Sequence, residues 1–341
     1  MFIIKMKGKI MSGNKKTFLK NSFSYIILTI FGIFMIAPFV WMISTSLKSQ
    51  LEVNKGHTGF IPIEQYLSYD DGKTVWRVSK VMIKGDSTVV NLIDDTGKIV
   101  YPFHTINSTQ LKEIKRIKLH FLNFKRVFEK VPFARYLFNT LLVAFTTLFG
   151  VLITSALAAY AFARMRFKGR DFLFYFFISM MMVPQPIYLV PSYVLLNYFG
   201  WINTYQALII PWIANIFTIF LLRQHFKTIP QDLIDAAAID GCSRFKTLFQ
   251  IILPLSKPVI ATASVFSVIS SWNSFMWPLI MTNDPELRVL QVGLSYFSQE
   301  SSSQTTLLMA ASTFTIIPLV ILFLFAQKSI MASYTSSGMK E

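Results

Sequence analysis

Charged residues in this chain are gathered so that they leave long apolar blocks between them. None stands between Lys20 and Lys48, Arg135 and Arg164, Asp171 and Arg223, Lys257 and Asp284, or Glu300 and Lys328. A membrane-crossing helix needs about 20 apolar residues at about 1.5 Å rise each, so every block holds at least one span. The block from Asp171 to Arg223 is too long for one, and Asn197, Gly200 and Asn203 near its middle read as a turn between two. The pattern therefore predicts six spans, at about 22–46, 137–162, 172–196, 204–222, 259–281 and 306–327.

A polar segment separates the first two spans. Val75–Val78, Lys80–Ile83, Thr88–Ile93 and Lys98–Tyr101 are rich in β-branched and aromatic residues, with Lys84-Gly85-Asp86 and Asp95-Thr96-Gly97 as turn signals. From Ser108 or Thr109 onward, Leu111, Ile114, Ile117 and Phe121 recur at helical spacing. The expectation is a β-meander followed by a basic helix. The fold class is an all-α polytopic membrane protein with six transmembrane helices and a small β-rich insertion.

Composition strengthens this reading. The AVILMFWYC set makes up 53% of the 341 residues and charged residues only 15%, against about 25% charged in a soluble domain. That excludes a disordered chain and most soluble enzymes. Cys242 stands alone, so an intrachain disulfide and a multi-cysteine metal site are both excluded. His57, His104, His120 and His225 fall in unrelated segments. The net charge of +16 would point to nucleic acid in a soluble protein. Beside apolar spans it points to lipid headgroups, and no nucleic-acid partner is expected.

Basic residues of short loops set the orientation. The N-terminus carries Lys5, Lys7, Lys9, Lys15, Lys16 and Lys20; the loop after the second span Arg164, Arg166, Lys168 and Arg170; the loop after the fourth Arg223, Lys227, Arg244, Lys246 and Lys257. The turn near 197–203 has none, and 282–305 has only Arg288. Both termini are expected in the cytoplasm of a prokaryotic cell, under a multi-pass plasma membrane. Residues 48–136 are expected outside despite 15 basic residues, since long loops are largely exempt from the rule. The organisation is then a basic cytoplasmic N-terminus (1–21), an uncleaved first span (22–47), an extracytoplasmic segment (48–136) with an insertion at about 66–118, a transmembrane core (137–327) containing a cytoplasmic loop (223–258), and a cytoplasmic tail (328–341).

The apolar blocks contain no Asp, Glu, Lys, Arg or His. Proton-driven machines usually need such groups within the membrane, and a membrane hydrolase needs a nucleophile with a base; neither is present. Gly72-Lys73-Thr74 resembles the end of a phosphate loop, but Leu67 stands where a glycine is required. The chain is expected to hold no cofactor and no ATP site. What the spans do carry is polar and helix-disturbing: Pro184-Gln185-Pro186 in the third, Pro211, Trp212 and Asn215 in the fourth, Ser270-Ser271-Trp272-Asn273-Ser274 in the fifth. Gln185, Asn215, Trp272 and Asn273 are candidates for a pathway lining: amides hydrogen-bond a neutral polyhydroxyl solute and an indole stacks on a sugar face. The alternative for each amide is a bridge to a neighbouring helix.

The loop Arg223–Pro258 is too long for a plain connector. Pro230 suits the first turn of a helix, Gln231–Asp240 favours helix, and Gly241 allows a positive-φ stop. Ser243–Ile252 forms a second helix, which Pro254 and Pro258 end. The product is a helix–turn–helix elbow. Asp235-Ala236-Ala237-Ala238-Ile239-Asp240-Gly241, with Phe249, Ile252, Leu253 and Pro254, resembles the EAA loop of ABC importer permeases, with Asp235 in place of the family's Glu. Arg223–Pro230, Ser271–Ile280, Asn123-Phe124 and Pro132–Thr140 are similar to the carbohydrate branch, the maltose-type second permease subunits. The resemblance covers nearly all the chain except about 66–118.

The resemblance implies a coupling role for Asp235, Ala236, Ala237, Asp240, Gly241, Phe249, Leu253 and Pro254. Ala236 and Ala237 would permit close approach to an ATPase, and Asp235 and Asp240 would pair with its basic groups. The implied partners are a second, different permease subunit, two ABC ATPases, an extracytoplasmic solute-binding protein, membrane lipid and a carbohydrate. The chain itself would be no enzyme. The competing readings are a permease for another solute, such as a phosphorylated polyol or a peptide, and a membrane anchor for the outer module.

Overall fold

The structure, a computed structural model, describes residues 2–56, 59–72, 74–84, 87–93, 99–300 and 304–338. The chain divides into two compact units, residues 1–126 with 303–313 and residues 127–302 with 314–341.

The first unit opens with α1 (Phe2–Ser46) and a short helix α2 (Gln50–Asn54). Five strands follow: β1 (Ile63–Asp70), β2 (Val75–Lys84), β3 (Ser87–Ile93), β4 (Ile99–Asn107) and β5 (Lys112–Ile117). All pairings are antiparallel, in the order β4-β3-β2-β1-β5. Val75–Val78 and Lys80–Ile83 join in one strand, with a register shift between Lys80 and Met82. The turn residues Gly85, Asp86 and Asp95-Thr96-Gly97 lie outside the described residues, as do His57 and Lys73. Val78, Val90, Leu92 and Ile106 form the core of the sheet, flanked by Leu67, Tyr69, Trp76 and Leu111.

The basic helix expected from Ser108 onward is a strand instead. After a single 3-10 turn at Ser108–Gln110, β5 pairs with β1 from Ile63↔Ile117 to Ser68↔Lys112. A helix here would leave the donors and acceptors along that side of β1 unpaired. Pairing satisfies them, and β-branched Ile114 and Ile117 suit the strand. Tertiary pairing thus overrides the three-residue spacing.

Hydrogen bonds tie the end of α1 and the residues after it to the segments that flank the sheet. The His120 amide donates to Leu47 O (2.8 Å), and Asn123 Nδ2 to Ser46 O and Lys48 O (both 2.8 Å). Lys48 Nζ donates to Gly59 O, and the Ile63 amide to Glu52 Oε1 (2.9 Å).

The second unit is helical. After α3 (Leu122–Lys130), which straddles the boundary, come α4 (Phe133–Arg164), α5 (Arg170–Met180), α6 (Gln185–Tyr198), α7 (Tyr205–Ile209) and α8 (Ile216–Thr228). Next are α9 (Gln231–Ile239), α10 (Arg244–Thr247), α11 (Leu253–Leu255), α12 (Lys257–Trp272), α13 (Met276–Met281) and α14 (Leu290–Glu300). α15 (Thr305–Gly338) gives its first residues to one unit and the rest to the other. α4 packs against α8, α12 and α14. Its buried residues include Asn139, Thr140, Ala144, Thr147, Ser155 and Ala159, whereas Phe138, Phe145 and Phe149 are exposed. Phe133, Tyr136, Tyr160 and Phe162 are buried as well, so the aromatic side chains of α4 face both ways. Hydrocarbon is as apolar as a protein interior, so phenylalanine gains little by turning inward, while small residues let helices approach closely. The approach is tightest at Gly293 of α14, where an added Cβ would lie 2.2 Å from Cδ2 of Tyr136 on α4, and next at Gly150, 2.6 Å from Ile213 Cγ2.

Among the described residues four helical stretches are long and apolar enough to cross a membrane: Ser22–Ser46, Phe133–Arg164, Tyr205–Thr228 and Thr305–Lys328. Two bent pairs, Arg170–Met180 with Gln185–Tyr198 (99°) and Arg244–Leu255 with Lys257–Trp272 (83°), raise the number to six if each is one span. The expected third span is thus sharply broken where Pro184 and Pro186 stand. The expected fifth ends as a regular helix at Trp272 and resumes only at Met276.

Glu64 on β1 is the charged centre of the first unit. It accepts a hydrogen bond from Arg77, and Lys118 and His120 lie 3.6 Å and 3.9 Å away. Burial pushes its carboxyl up, but the Arg77 bond and the charges of Arg77, Lys118 and His120 prevail and hold it below the usual carboxylate range. Burial, with the charges of Lys118 and Arg77, pushes His120 down against the pull of Glu64 and Glu52. Both groups therefore bind protons more weakly folded than unfolded. The stability they contribute is present above their unfolded values and is lost as pH falls through the folded ones. Hydrogen exchange of residues 63–70 and 112–117, corrected for intrinsic rates, should accelerate between about pH 7 and pH 4, while the α4 interior should not change. His120→Gln should remove the upper part of that window.

Candidate functional site

A cavity of about 380 Å³ opens within the second unit. Its wall brings together residues far apart in sequence: Thr140 and Thr147 of α4, Gln185 at the start of α6, Trp212, Asn215 at the start of α8, and Ser267, Ser270, Asn273 and Trp277. Each amide sits at a helix break. Gln185 opens α6 just after Pro184; Asn215 caps α8, its Oδ1 accepting from the Thr218 amide (2.9 Å); Asn273 is the C-cap of α12. A break frees backbone groups, and in a membrane those must face protein or a water-filled space. Breaks and cavity therefore belong together. No charged residue lines the cavity among the described residues.

Three of the four residues singled out from the sequence, Gln185, Asn215 and Asn273, line this one cavity. Trp272 does not. It is 2% exposed, and its indole N–H donates to Thr315 O (3.2 Å). The aromatic wall is made by Trp212 and Trp277, ring centroids 5.1 Å apart in an edge-to-face pair. Trp277 also donates to Ala207 O (2.9 Å), which fixes its ring.

Asn139 is the buried polar hub beside the cavity. Its Nδ2 donates to Glu286 O (2.8 Å) and Arg288 O (2.9 Å), while its Oδ1 accepts from the Tyr205 hydroxyl (2.8 Å). The neighbouring Thr140 Oγ1 accepts from the Leu290 amide (2.8 Å). Sequence reasoning passed over this pair as part of a motif. The available signal was an amide and a hydroxyl side by side in an apolar block.

The loop after α8 folds as an elbow. α9 stops in a Schellman arrangement: the Cys242 amide donates to Ala237 O (2.9 Å) and the Gly241 amide to Ala238 O (3.1 Å), with Gly241 at φ +73°. Ser243 Oγ then caps α10 by accepting from the Lys246 amide. Pro254 does not end this second helix. A π-helical turn at Leu248–Ile252 carries it into α11 and on to Leu255. The turn precedes a residue with no N–H, and a wider ring accommodates that break in the ladder. Asp235, Ala236, Asp240, Gly241, Phe249 and Pro254 are exposed, Leu253 is half-buried, and Ala237 is 3% exposed, packed within its own chain and not presented outward. Leu248 and Ile252 join Leu222, Phe226, Ala156, Ala159 and Tyr160 in one apolar cluster.

Two arginines fix the elbow's root, and the sequence disclosed them only as flanking charges. Arg164 donates to Phe226 O, Ile229 O and Gln231 Oε1, and Gln231 donates in turn to Asp235 Oδ1 (2.9 Å). Arg223 donates to Phe162 O (3.2 Å), lies 3.5 Å from Asp171 Oδ1 and covers the Phe174 ring at 3.6 Å.

Apolar outward faces, broken helices and a polar, uncharged cavity between them define a multi-pass membrane protein of the solute-pathway class. Residues 150–334 match the family described as binding-protein-dependent transport system inner membrane component, and the chain belongs to it. The chain is similar to the arabinooligosaccharides transport system permease protein AraQ of Halalkalibacterium halodurans, 36% identical over 55% of this chain and 68% of that protein. It is equally similar to the trehalose/maltose transport system permease protein MalG of Thermococcus litoralis, 36% identical over 64% of this chain and 80% of the other. The sn-glycerol-3-phosphate transport system permease protein UgpE of Salmonella typhi is 31% identical over 73% and 88%. Among solved structures, a chain of a bacterial ABC transporter that imports the acidic polysaccharide alginate matches with a TM-score of 0.65 over 90% of this chain and 95% of its own, at 20% identity, which shows the shared fold. The chain is accordingly a transport subunit and not an enzyme; ATP hydrolysis belongs to separate subunits.

The Asn139 hub predicts a graded loss of stability. Asn139→Leu strands Arg288 O and the Tyr205 hydroxyl and takes one of two donors from Glu286 O, which Arg135 Nε also meets, and should cost about 3 kcal/mol or more, whereas Tyr205→Phe removes one bond and should cost about 1 kcal/mol. Thermal unfolding of the detergent-purified protein should rank them in that order.

Proposed function

We propose that this chain is one of two different permease subunits of an ABC importer for a neutral saccharide, the sugar being delivered by an extracytoplasmic binding protein and two ATPases docking on the elbow. The observation that carries the reading is the cavity: three amides, two indoles and several hydroxyls from separate elements converge on it, with no charge in the wall. Such groups replace the water around sugar hydroxyls and leave nothing to hold a phosphate or carboxylate. The permeases for glycerol phosphate and for sugars fall at similar identity, so identity alone does not choose between them; the uncharged lining favours the sugar over a phosphorylated polyol. Both termini are placed in the cytoplasm and residues 48–136 outside, on the segregation of basic residues in short loops.

Exposed apolar side chains support the docking role of the elbow. Leu233, Ile239, Phe245 and Phe249 stand in water-facing positions of an otherwise charged loop, with Ile239 at 86% exposure. A partner surface would cover them. Because Arg164 and the apolar cluster tie the elbow to α4 and α8, displacement of the elbow would be passed to those helices.

Two variants test the reading. Gly241→Val forces a β-branched residue into a left-handed conformation at roughly 1–2 kcal/mol and misdirects α10. Uptake and ATPase co-purification should fall together, with Ser87→Val as control. Wild-type uptake by this variant would falsify the docking role. Asn273→Leu should lower uptake while the assembly and its basal ATPase persist; loss of assembly would instead make Asn273 a structural amide. Ala237→Trp is no clean test of docking, because that position is filled by the chain itself.

A further inference from the structure

The end of α1 and the start of α15 meet in the first unit. The Thr306 amide (3.2 Å) and hydroxyl (3.0 Å) both donate to Gln50 Oε1, just past the end of α1 at Ser46. Each helix carries a stretch long and apolar enough to cross a membrane, Ser22–Ser46 and Thr305–Lys328. The first has 25 residues, about 37 Å of helix against about 30 Å of hydrocarbon. Residues 46–50 therefore mark the headgroup layer. The chain returns to this level on both sides of the sheet. The Ser44 hydroxyl donates to Phe60 O before it. After it, the His120 amide and Asn123 Nδ2 donate to the carbonyls of Ser46, Leu47 and Lys48. Both returns carry apolar side chains that the chain leaves uncovered: Phe60, Ile61, Leu119, Phe121 and Leu122 are between 46% and 64% exposed. Charge gathers beside them. Residues 112–126 hold Lys112, Lys115, Arg116, Lys118, Lys125 and Arg126 against a single acid, Glu113. Lys118 is held by Glu64, whereas Arg116 and Arg126 are exposed and make no ion pair among the described residues.

We propose that this rim of the sheet module binds anionic phospholipid. Phe60, Ile61, Leu119, Phe121 and Leu122 enter the boundary between headgroups and acyl chains, and Arg116 and Arg126 hold the phosphates. The reach is adequate. Arg126 lies within one helical turn of Asn123, and Arg116 is four residues from His120, no more than about 14 Å of extended chain. The headgroup layer spans about 5–7 Å on each face, and a long arginine stem covers much of the remaining distance. The composition favours lipid over a protein as the occupant. The core of a protein interface is poor in charge, and above all in lysine, whereas apolar side chains flanked by lysine and arginine suit the surface of a membrane. Net positive charge selects anionic lipid, because a zwitterionic headgroup carries its own cation. The lipid contact is independent of the transport reading; only the leaflet it occupies rests on the proposed orientation.

Fluorescence quenching on the full-length chain tests the assignment. On a Cys242→Ser background, a bimane dye is attached at Phe121→Cys, at Leu119→Cys or, as control, at Val75→Cys. Val75 is also exposed, but it pairs with Asp70 at the end of β1 farthest from Ile63. Each protein is placed in nanodiscs of equal parts phosphatidylcholine and phosphatidylglycerol, with a nitroxide on the upper acyl chain of one lipid or the other. The expected result is quenching at 119 and 121 and little at 75. The anionic quencher should act as though enriched at least about fivefold, the factor that one basic residue at an anionic surface supplies. Arg116→Gln with Arg126→Gln should bring that preference close to unity, and Arg116→Lys with Arg126→Lys should retain it. Absence of quenching at 119 and 121 would assign the rim to water or to a protein partner and overturn the proposal. Equal quenching by the two lipids, a preference that survives loss of both arginines, or quenching at 75 as strong as at 121 overturns it as well. None of these outcomes touches the transport reading, which the uptake of the Asn273 variant decides separately.

Discussion

In hydrocarbon a backbone carbonyl or amide without a partner costs several kcal/mol, and this chain breaks its helices at that depth again and again. Several of the breaks are answered by side chains. Asn215 caps α8, Thr154 donates to Ile213 O, Trp277 donates to Ala207 O and Trp272 to Thr315 O. Asn139 receives the carbonyls of the loop before α14. The cavity exists because these repairs are made by side chains at the breaks, leaving amides and hydroxyls around a space that unbroken helices would have closed. Pathway and fold are thus consequences of one constraint.

The same logic runs through the elbow. A helix end leaves its last carbonyls unsatisfied, and α8 ends where the chain must turn toward α9. Arg164, from the far end of α4, takes the carbonyls of Phe226 and Ile229 and reaches Gln231 besides. One guanidinium therefore joins the end of one helix, the end of another and the start of the elbow. Its fork of donors suits this role, and a lysine ammonium, a point charge on a flexible stem, would not reproduce it. The Schellman stop at Gly241 and the π turn before Pro254 then set the direction of the rest.

Much of this was legible in the sequence because membranes simplify the reading. Charge-free blocks marked the helices, prolines and amides marked the breaks, and a glycine between helix formers marked the stop. What escaped depended on three-dimensional neighbours. Residues 108–117 have a helical spacing, but the open side of β1 drew them into a strand. Trp272 and Trp277 are both indoles near Asn273, and nothing local says which faces the cavity; one residue of helical rotation separates Asn273, on the wall, from Trp272, buried against Thr315 O. Arg164 and Arg223 looked like ordinary interfacial charges, since a flanking arginine and a clamp have the same address in sequence. Ala237 looked like part of an outward face, and its burial shows that a small residue there serves the inner packing of α9.

The first helix carries the argument one step further. In the most apolar window of Ser22–Ser46 no residue is buried within the chain, against a third of the corresponding window of α4. Phe23, Ile26, Phe31 and Phe34 are exposed. At Ser44 the situation reverses: Ser44, Thr45, Ser46 and Lys48 are all buried, and hydrogen bonds from Asn123 and the His120 amide meet the carbonyls of Ser46, Leu47 and Lys48. A helix gripped only at one end depends on lipid or on another subunit along the remainder. Its sequence fits both, being apolar all round with no polar stripe to specify a partner. A contact with another subunit would therefore be read more readily from α4-type helices, whose small buried residues set the spacing of their neighbours, than from α1.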